Sequence, residues 1–160
     1  MKTLPEDLEL QFLRTFKEYI YYFNLLERNI VYCLSYPNHR NDYSLTVDKF
    51  NKLSFDEKVR KLKRFIKRNE LEDIFSKWFE SVEYLRKKRN TLVHGQWDFR
   101  WWLEKPILFD IPAPIKEKGE LTIEDFKKEF EVLKKAAEDF SKLRSEYEFE
   151  LSGERDNLEI

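Results

Sequence analysis

PEDLELQFLRTFKEYIYYFNLLERNIVYCLSY, residues 5–36, carries its apolar side chains at Phe12, Phe16, Tyr19, Phe23, Leu26, Ile30 and Cys33. Steps that alternate between four and three place all seven on one face of a helix and on no face of a strand. Pro5 suits a first helical turn, Glu6 and Asp7 suit the positive end of the helix dipole, and Pro37 supplies a stop. The stretch therefore predicts one long helix from Pro5 to Tyr36. A second stripe, Leu13, Ile20 and Leu34, runs beside the first at seven-residue spacing. In that second series Glu27 occupies a slot where the period calls for an apolar residue.

The rest of the composition agrees with a helical chain. Its 160 residues suffice for one domain with one core. Three glycines and five prolines are too few for the turns of a sandwich, a barrel or a doubly wound sheet. Charged residues reach 38%, which alone would suit disorder, but 4 Trp, 8 Tyr and 14 Phe supply ample apolar surface for packing. Ser54 with Glu57 is a capping-box signature and opens a helix to about Asn69, with the stripe Phe55, Val59, Leu62 and Ile66. A short helix over Val47 to Leu53 precedes it, after a loop that contains PNHRNDYS. A third long helix spans Leu71 to Val93 with a stripe at Ile74, Trp78, Val82, Leu85, Arg89 and Leu92, and Gly95 suits its left-handed end. Glu70, Glu72 and Asp73 read as the start of that helix and not as a metal site. Thr122 with Asp125 caps a last helix whose stripe is Phe126, Phe130, Leu133, Ala137, Phe140 and Tyr147. Between them, Trp97, Phe99 and Trp101 alternate, as do Ile107, Phe109 and Ile111, which fits two short strands.

The predicted fold is thus an all-α, up-down bundle of four to five helices. A short aromatic-rich loop or β-hairpin arm follows the third long helix. Residues 1–151 form a single domain, and 152–160 a frayed tail.

Several function classes are disfavoured. A lone Cys33 offers no disulfide framework and suits a reducing cytosol. With His39 and His94 far apart, Cys33 builds no zinc site, and no other metal ligand set is evident. Neither a GxGxxG nor a Walker-type phosphate loop occurs, so no cofactor is implied. The longest apolar run, Tyr19 to Leu26, is broken by Asn24 and too short for a bilayer, and MKTLPEDLEL lacks the apolar core of a signal peptide. These features predict a cytoplasmic protein with no membrane partner.

Charge is unevenly spread although the net charge is −1. Residues 54–94 hold 12 Lys and Arg against 7 Asp and Glu, whereas residues 116–160 hold 9 against 14. A basic middle suits either a polyanion ligand or a set of solvated helix faces. Within it, Arg86, Asn90 and His94 are spaced by four and share a face of the third helix. Arg89 lies beside them on the core stripe, the second charged residue at an apolar position and opposite in sign to Glu27. An imidazole, two guanidiniums and an amide on one turn suit phosphodiester chemistry: histidine moves protons, and arginine stabilises charge building on phosphorus. The same residues also suit a buried polar network that fixes helix register, with His94 as a helix-end cap.

Arg89-Asn90-x-x-x-His94-Gly95 at the end of an amphipathic helix resembles the Rx4–6H motif of HEPN domains. A long early helix with an acidic residue among apolar ones, here Phe23-Asn24-Leu25-Leu26-Glu27, is similar to that family as well. The resemblance implies a homodimer that joins two motifs in one cleft and a metal-independent endoribonuclease of defence or toxin–antitoxin systems. Under it, His94 assists attack of the 2′-hydroxyl or protonates the leaving group, Arg89 stabilises the transition state, and Asn90 orients His94 or the phosphate. Glu27 pairs with Arg89 and holds it, while Arg86, Lys87 and Trp97 contact the RNA substrate. An antitoxin or regulatory partner is a further expectation. The chain departs from toxins modified on a tyrosine two residues after the histidine, because Gln96 stands there. The alternative within the family is a non-catalytic module for dimerisation or for binding RNA or a nucleotide. Trp97, Phe99, Trp101 and Trp102, next to the motif, suit either a base-stacking platform or a packed lid or dimer surface.

Overall fold

A computed structural model of the chain describes residues 5–38, 43–94, 96–98, 107–109, 117–120 and 123–152. The protein is predominantly helical. Its helices are α1 (Pro5–Ser35), α2 (Tyr43–Asn51), α3 (Phe55–Arg68), α4 (Glu72–His94), α5 (Ile123–Glu146) and the single turn α6 (Glu148–Leu151). A 3-10 turn, Tyr36–Asn38, follows α1. Between α4 and α5 lie three short strands, β1 (Gln96–Asp98), β2 (Ile107–Phe109) and β3 (Glu117–Glu120), in an antiparallel sheet of order β1-β2-β3. Gln96 pairs with Phe109, Trp97 with Leu108 and Asp98 with Ile107, and the β2–β3 register shifts between Ile107 and Phe109. His39, Gly95, Phe99, Trp101, Trp102, Ile111, Thr122 and the tail beyond Ser152 lie outside the described residues. Among the described residues no helix is long and apolar enough to cross a membrane.

The chain divides into two compact units, residues 1–22 with 81–134 and residues 23–80 with 135–160. The first is packed around Phe12, Tyr19, Val82, Leu85, Phe126 and Leu133, all buried. Phe126 is its hub, stacking on Phe12 at 5.2 Å between ring centroids and touching Tyr19 at 5.7 Å. The second unit buries Leu26, Ile30, Leu62, Ile66, Phe75 and Phe140. Phe23 meets Phe55 at 4.7 Å, and Trp78 stacks on Phe140 at 4.6 Å while its Nε1–H donates to the carbonyl of Ala136 at 2.9 Å. That bond lets an indole sit in a core without stranding its donor.

Local chemistry sets the helix ends. Ser54 Oγ accepts from the Glu57 amide at 3.3 Å, and Glu57 Oε2 accepts from the Ser54 amide at 2.8 Å, which is the reciprocal capping box that starts α3. The Ser54 hydroxyl, which donates to Glu57 Oε2 at 2.7 Å, and the Ser54 amide together hold the Glu57 carboxyl below the usual carboxylate range. At the other end, Glu70 takes φ 58°. The Glu70 amide bonds Lys67 O and the Leu71 amide bonds Ile66 O, each at 3.1 Å, and buried Leu71 and Ile66 flank the turn. This is a Schellman closure with glutamate where glycine is usual. Glu70 therefore ends α3, and α4 begins only at Glu72.

Two further details differ from the sequence expectation. The face of α4 that packs runs through Leu71, Phe75, Trp78, Val82 and Leu85, whereas Ile74 is 40% exposed. Choosing Phe75 over its neighbour restores strict four-and-three alternation, and the same series continues to Arg89. Helix α2 starts at Tyr43, four residues before the expected Val47. Its first turns carry exposed Ser44 and Leu45, so they lack the apolar period that marks a packed helix.

Candidate functional site

The motif-bearing half of α4 belongs to the first unit, with the start of α5 and the first 22 residues. Helix α4 is unbroken to His94, so Arg86, Arg89, Asn90 and His94 share one helix and its last turns. Arg86 and Arg89 are described in full. The side chains of Asn90 and His94, and that of Trp97 in β1, lie outside the described residues.

Arg86 is half-buried and forked onto Glu83, with Nε 3.1 Å from Oε2 and Nη2 2.7 Å from Oε1. Lys87 is exposed and stands 3.9 Å from the same carboxylate. An i, i+3 fork of this kind orients the guanidinium.

Arg89 is half-buried, with its Nε closed off from solvent. The residues around it form a network that the sequence did not reveal. Glu129, on the first turns of α5 and only 12% exposed at its side chain, accepts from the Tyr84 hydroxyl at 2.6 Å and stands 3.6 Å from Lys88 Nζ. Its other oxygen, Oε2, is buried and has no hydrogen-bond partner among the described residues. The Tyr19 phenol, fully buried, is pushed well up by burial first and by the Glu129 charge second, while Arg89 pulls it back. Tyr19 thus lies in the fields of both Glu129 and Arg89. Tyr84 is pushed up to about 12, chiefly because its hydroxyl donates to Glu129. Lys88 also lies 5.7 Å from the Tyr84 ring centroid. A buried carboxylate bonded by one phenol, with a second phenol in the fields of both that carboxylate and Arg89, makes a connected polar setting.

Glu27 belongs to the other unit and has a partner of its own. Its Oε1 is ion-paired with Lys58 Nζ, which also donates to the carbonyl of Asn51 at 3.3 Å. In the sequence Lys58 is one of seven cations between residues 58 and 68. The signal was available, because Lys58 falls three after Phe55 and four before Leu62, on the packed face. Glu129 gave a weaker signal, three residues after Phe126 and four before Leu133 on α5.

No protein-family model, no characterised protein and no solved structure matches the chain.

Proposed function

We propose that the chain is a metal-independent endoribonuclease of the HEPN type that works as a homodimer in cytoplasmic defence or toxin–antitoxin biology. The observation that supports this reading best is Arg89, half-buried on the same unbroken helix that ends at His94, in the electrostatic neighbourhood of Glu129 and Tyr19. A guanidinium restrained in this way is pre-oriented for charge that develops on a phosphate. His94, four residues beyond Asn90 on that helix, takes the proton from a ribose 2′-hydroxyl or returns one to the departing 5′-oxygen. Attack of the 2′-oxygen on phosphorus forms the 2′,3′-cyclic phosphate and breaks the bond to the 5′-oxygen, which leaves as a hydroxyl. Asn90 orients His94 or the phosphate, and Arg86, Lys87 and Trp97 contact the RNA strand. Glu27 is ion-paired with Lys58, and Glu129, whose charge acts on Tyr19 together with that of Arg89, is the acidic residue we propose as positioning Arg89 through that field.

The test is cleavage of single-stranded RNA by the purified protein. His94→Ala and Arg89→Ala each abolish cleavage with fold and dimer unchanged, the reaction survives EDTA, and the products carry 2′,3′-cyclic or 3′-phosphate ends. Cleavage that persists in both variants, or 3′-hydroxyl ends, sinks the reading. A second reading, a non-catalytic dimerisation or RNA- or nucleotide-binding module, draws on the same network, because Tyr19, Tyr84 and Glu129 suffice to fix helix register. Absence of cleavage together with loss of the dimer in Arg89→Ala selects it.

A further inference from the structure

We propose that the outer face of α3 is a binding site for single-stranded nucleic acid, separate from the Arg89–His94 segment and independent of cleavage. Between Glu57 and Glu70 the sequence KVRKLKRFIKRN holds no acidic residue. Lys58 turns inward to Glu27, and Arg60, Lys61, Lys63, Arg64, Lys67 and Arg68 are all exposed. Outside α3, several of the described cations stand by carboxylates: Arg86 and Lys87 by Glu83, Lys88 by Glu129, Lys128 by Asp125 and Lys135 on Asp139. On α3, among the described residues, Lys61, Arg64 and Arg68 form no ion pair within 4.0 Å; Arg60 and Lys61 only lie in the field of Glu57, and Lys67 stands 3.9 Å from Glu72, both exposed to solvent.

These unpaired cations border apolar floors. A cleft of about 320 Å³ lies between them and the half-buried rings of Phe50 and Phe65, with Leu34 at its base. A second depression of about 250 Å³ shares Arg64 with the first and gathers Lys63, Lys67 and the ring of Phe79, with Glu72 beside Lys67 on its wall. Lys63 Nζ stands 5.4 Å from that ring's centroid. A solvated helix face needs no such rings. Two adjoining clefts that share a cation and each offer an aromatic ring fit a chain of alternating phosphates and flat bases. A duplex hides its bases in the stack and has no use for the rings, and a bare polyanion has no use for the apolar floors.

The experiment uses the full chain carrying His94→Ala, so that binding is read without cleavage and fails or succeeds separately from the nuclease reading. Fluorescence anisotropy follows a labelled oligouridylate and the matching oligothymidylate. The triple variant Lys61→Glu, Arg64→Glu, Arg68→Glu weakens binding at least tenfold, and the salt dependence flattens by about 0.7 log units per lost contact. Phe65→Leu keeps the floor apolar but removes the stacking ring, and it weakens the oligonucleotides several-fold. All four positions are exposed or half-buried, and unchanged helical circular dichroism confirms that the variants fold. Binding unaffected by the triple variant overturns the proposal. So does duplex RNA binding as tightly as the single strand, or inorganic polyphosphate of equal charge competing as well as the oligonucleotide.

Discussion

Lys58, with a side chain only 4% exposed, holds the carboxylate of Glu27, itself 25% exposed, and so ties α3 to the second half of α1 inside one compact unit. The two partners are unequally buried, which makes their removal unequal in cost. Glu27→Leu leaves an ammonium enclosed with one carbonyl for company and destabilises by about 3–5 kcal/mol. Lys58→Met leaves a carboxylate that water still reaches and costs less, about 2 kcal/mol once that exposure is discounted. The double variant, apolar on both sides, recovers most of the loss. Urea denaturation of the three variants checks the order, and equal losses from the two single changes contradict it.

Why was this pair missed in the sequence while Glu27 alone stood out? Glu27 interrupts an apolar stripe, so the helical period exposes it as a misfit. Lys58 sits in a run of seven cations within residues 58–68, where one more lysine raises no flag. A charge is visible in a sequence only against an apolar background. The same reasoning covers Glu129, one of many acidic residues on α5, whose burial depends on Tyr84 and Lys88 from another helix.

Alkaline pH tests the network beside Arg89. The phenol of Tyr84 is raised from 10.0 to about 12 in the folded chain, and Tyr19 is raised further. In the unfolded chain both ionise near their ordinary value, so above it the unfolded state releases protons that the folded state keeps. Stability is therefore full below pH 10 and falls as pH climbs toward 12. Tyr19→Phe removes the larger part of this slope and Tyr84→Phe a smaller part, because Tyr84 is 43% exposed. Denaturation midpoints between pH 9 and 11 give the slopes directly; a slope that neither substitution alters contradicts the shifts.

Glu70 offers a gain in stability. A residue with a Cβ at φ 58° pays a steric penalty of about 1 kcal/mol that glycine does not, partly offset by glycine's freedom in the unfolded chain. Glu70→Gly therefore stabilises by about 0.5 kcal/mol and raises the melting temperature by about one to two degrees. Glu70→Ala, which keeps the Cβ, brings no such gain, and equal melting points for the two variants refute the backbone argument.

The long helices were legible because α1, α3 and α5 each bury a stripe with a clear 3.6-residue period. Helix α2 starts earlier than its sequence predicts because its first turns bury little, and the sequence points to Ile74 instead of Phe75 because either residue satisfies a loose reading of the period. Strand β3, Glu-Lys-Gly-Glu at 117–120, carries no alternation at all; its place in the sheet follows from backbone pairing with β2, which leaves no trace in side-chain pattern. At the site, the periodicity singled out Arg89 because a charge fell on the stripe of Val82 and Leu85. Its neighbours Tyr19 and Glu129 come from helices distant in sequence, and no local spacing announces them.

Glu129 is, on the proposed reading, a positioning residue that acts through Arg89, and its removal has a kinetic signature. Glu129→Gln keeps the size and the bond from Tyr84 but loses the charge that acts, with that of Arg89, on Tyr19. Cleavage slows by about 10- to 100-fold, the range expected when a catalytic group is held loosely, and the loss falls on kcat with little change in KM. Because both residues act as one unit, the Glu129→Gln, Arg89→Lys double variant is no slower than Arg89→Lys alone, a change that keeps the charge and a measurable rate. A structural role for Glu129 instead lowers stability and leaves kcat near wild type at temperatures below the transition. Multiplicative losses in the double variant, or a wild-type rate in Glu129→Gln, remove Glu129 from the mechanism and return the question of what holds Arg89 to the residues of its own helix.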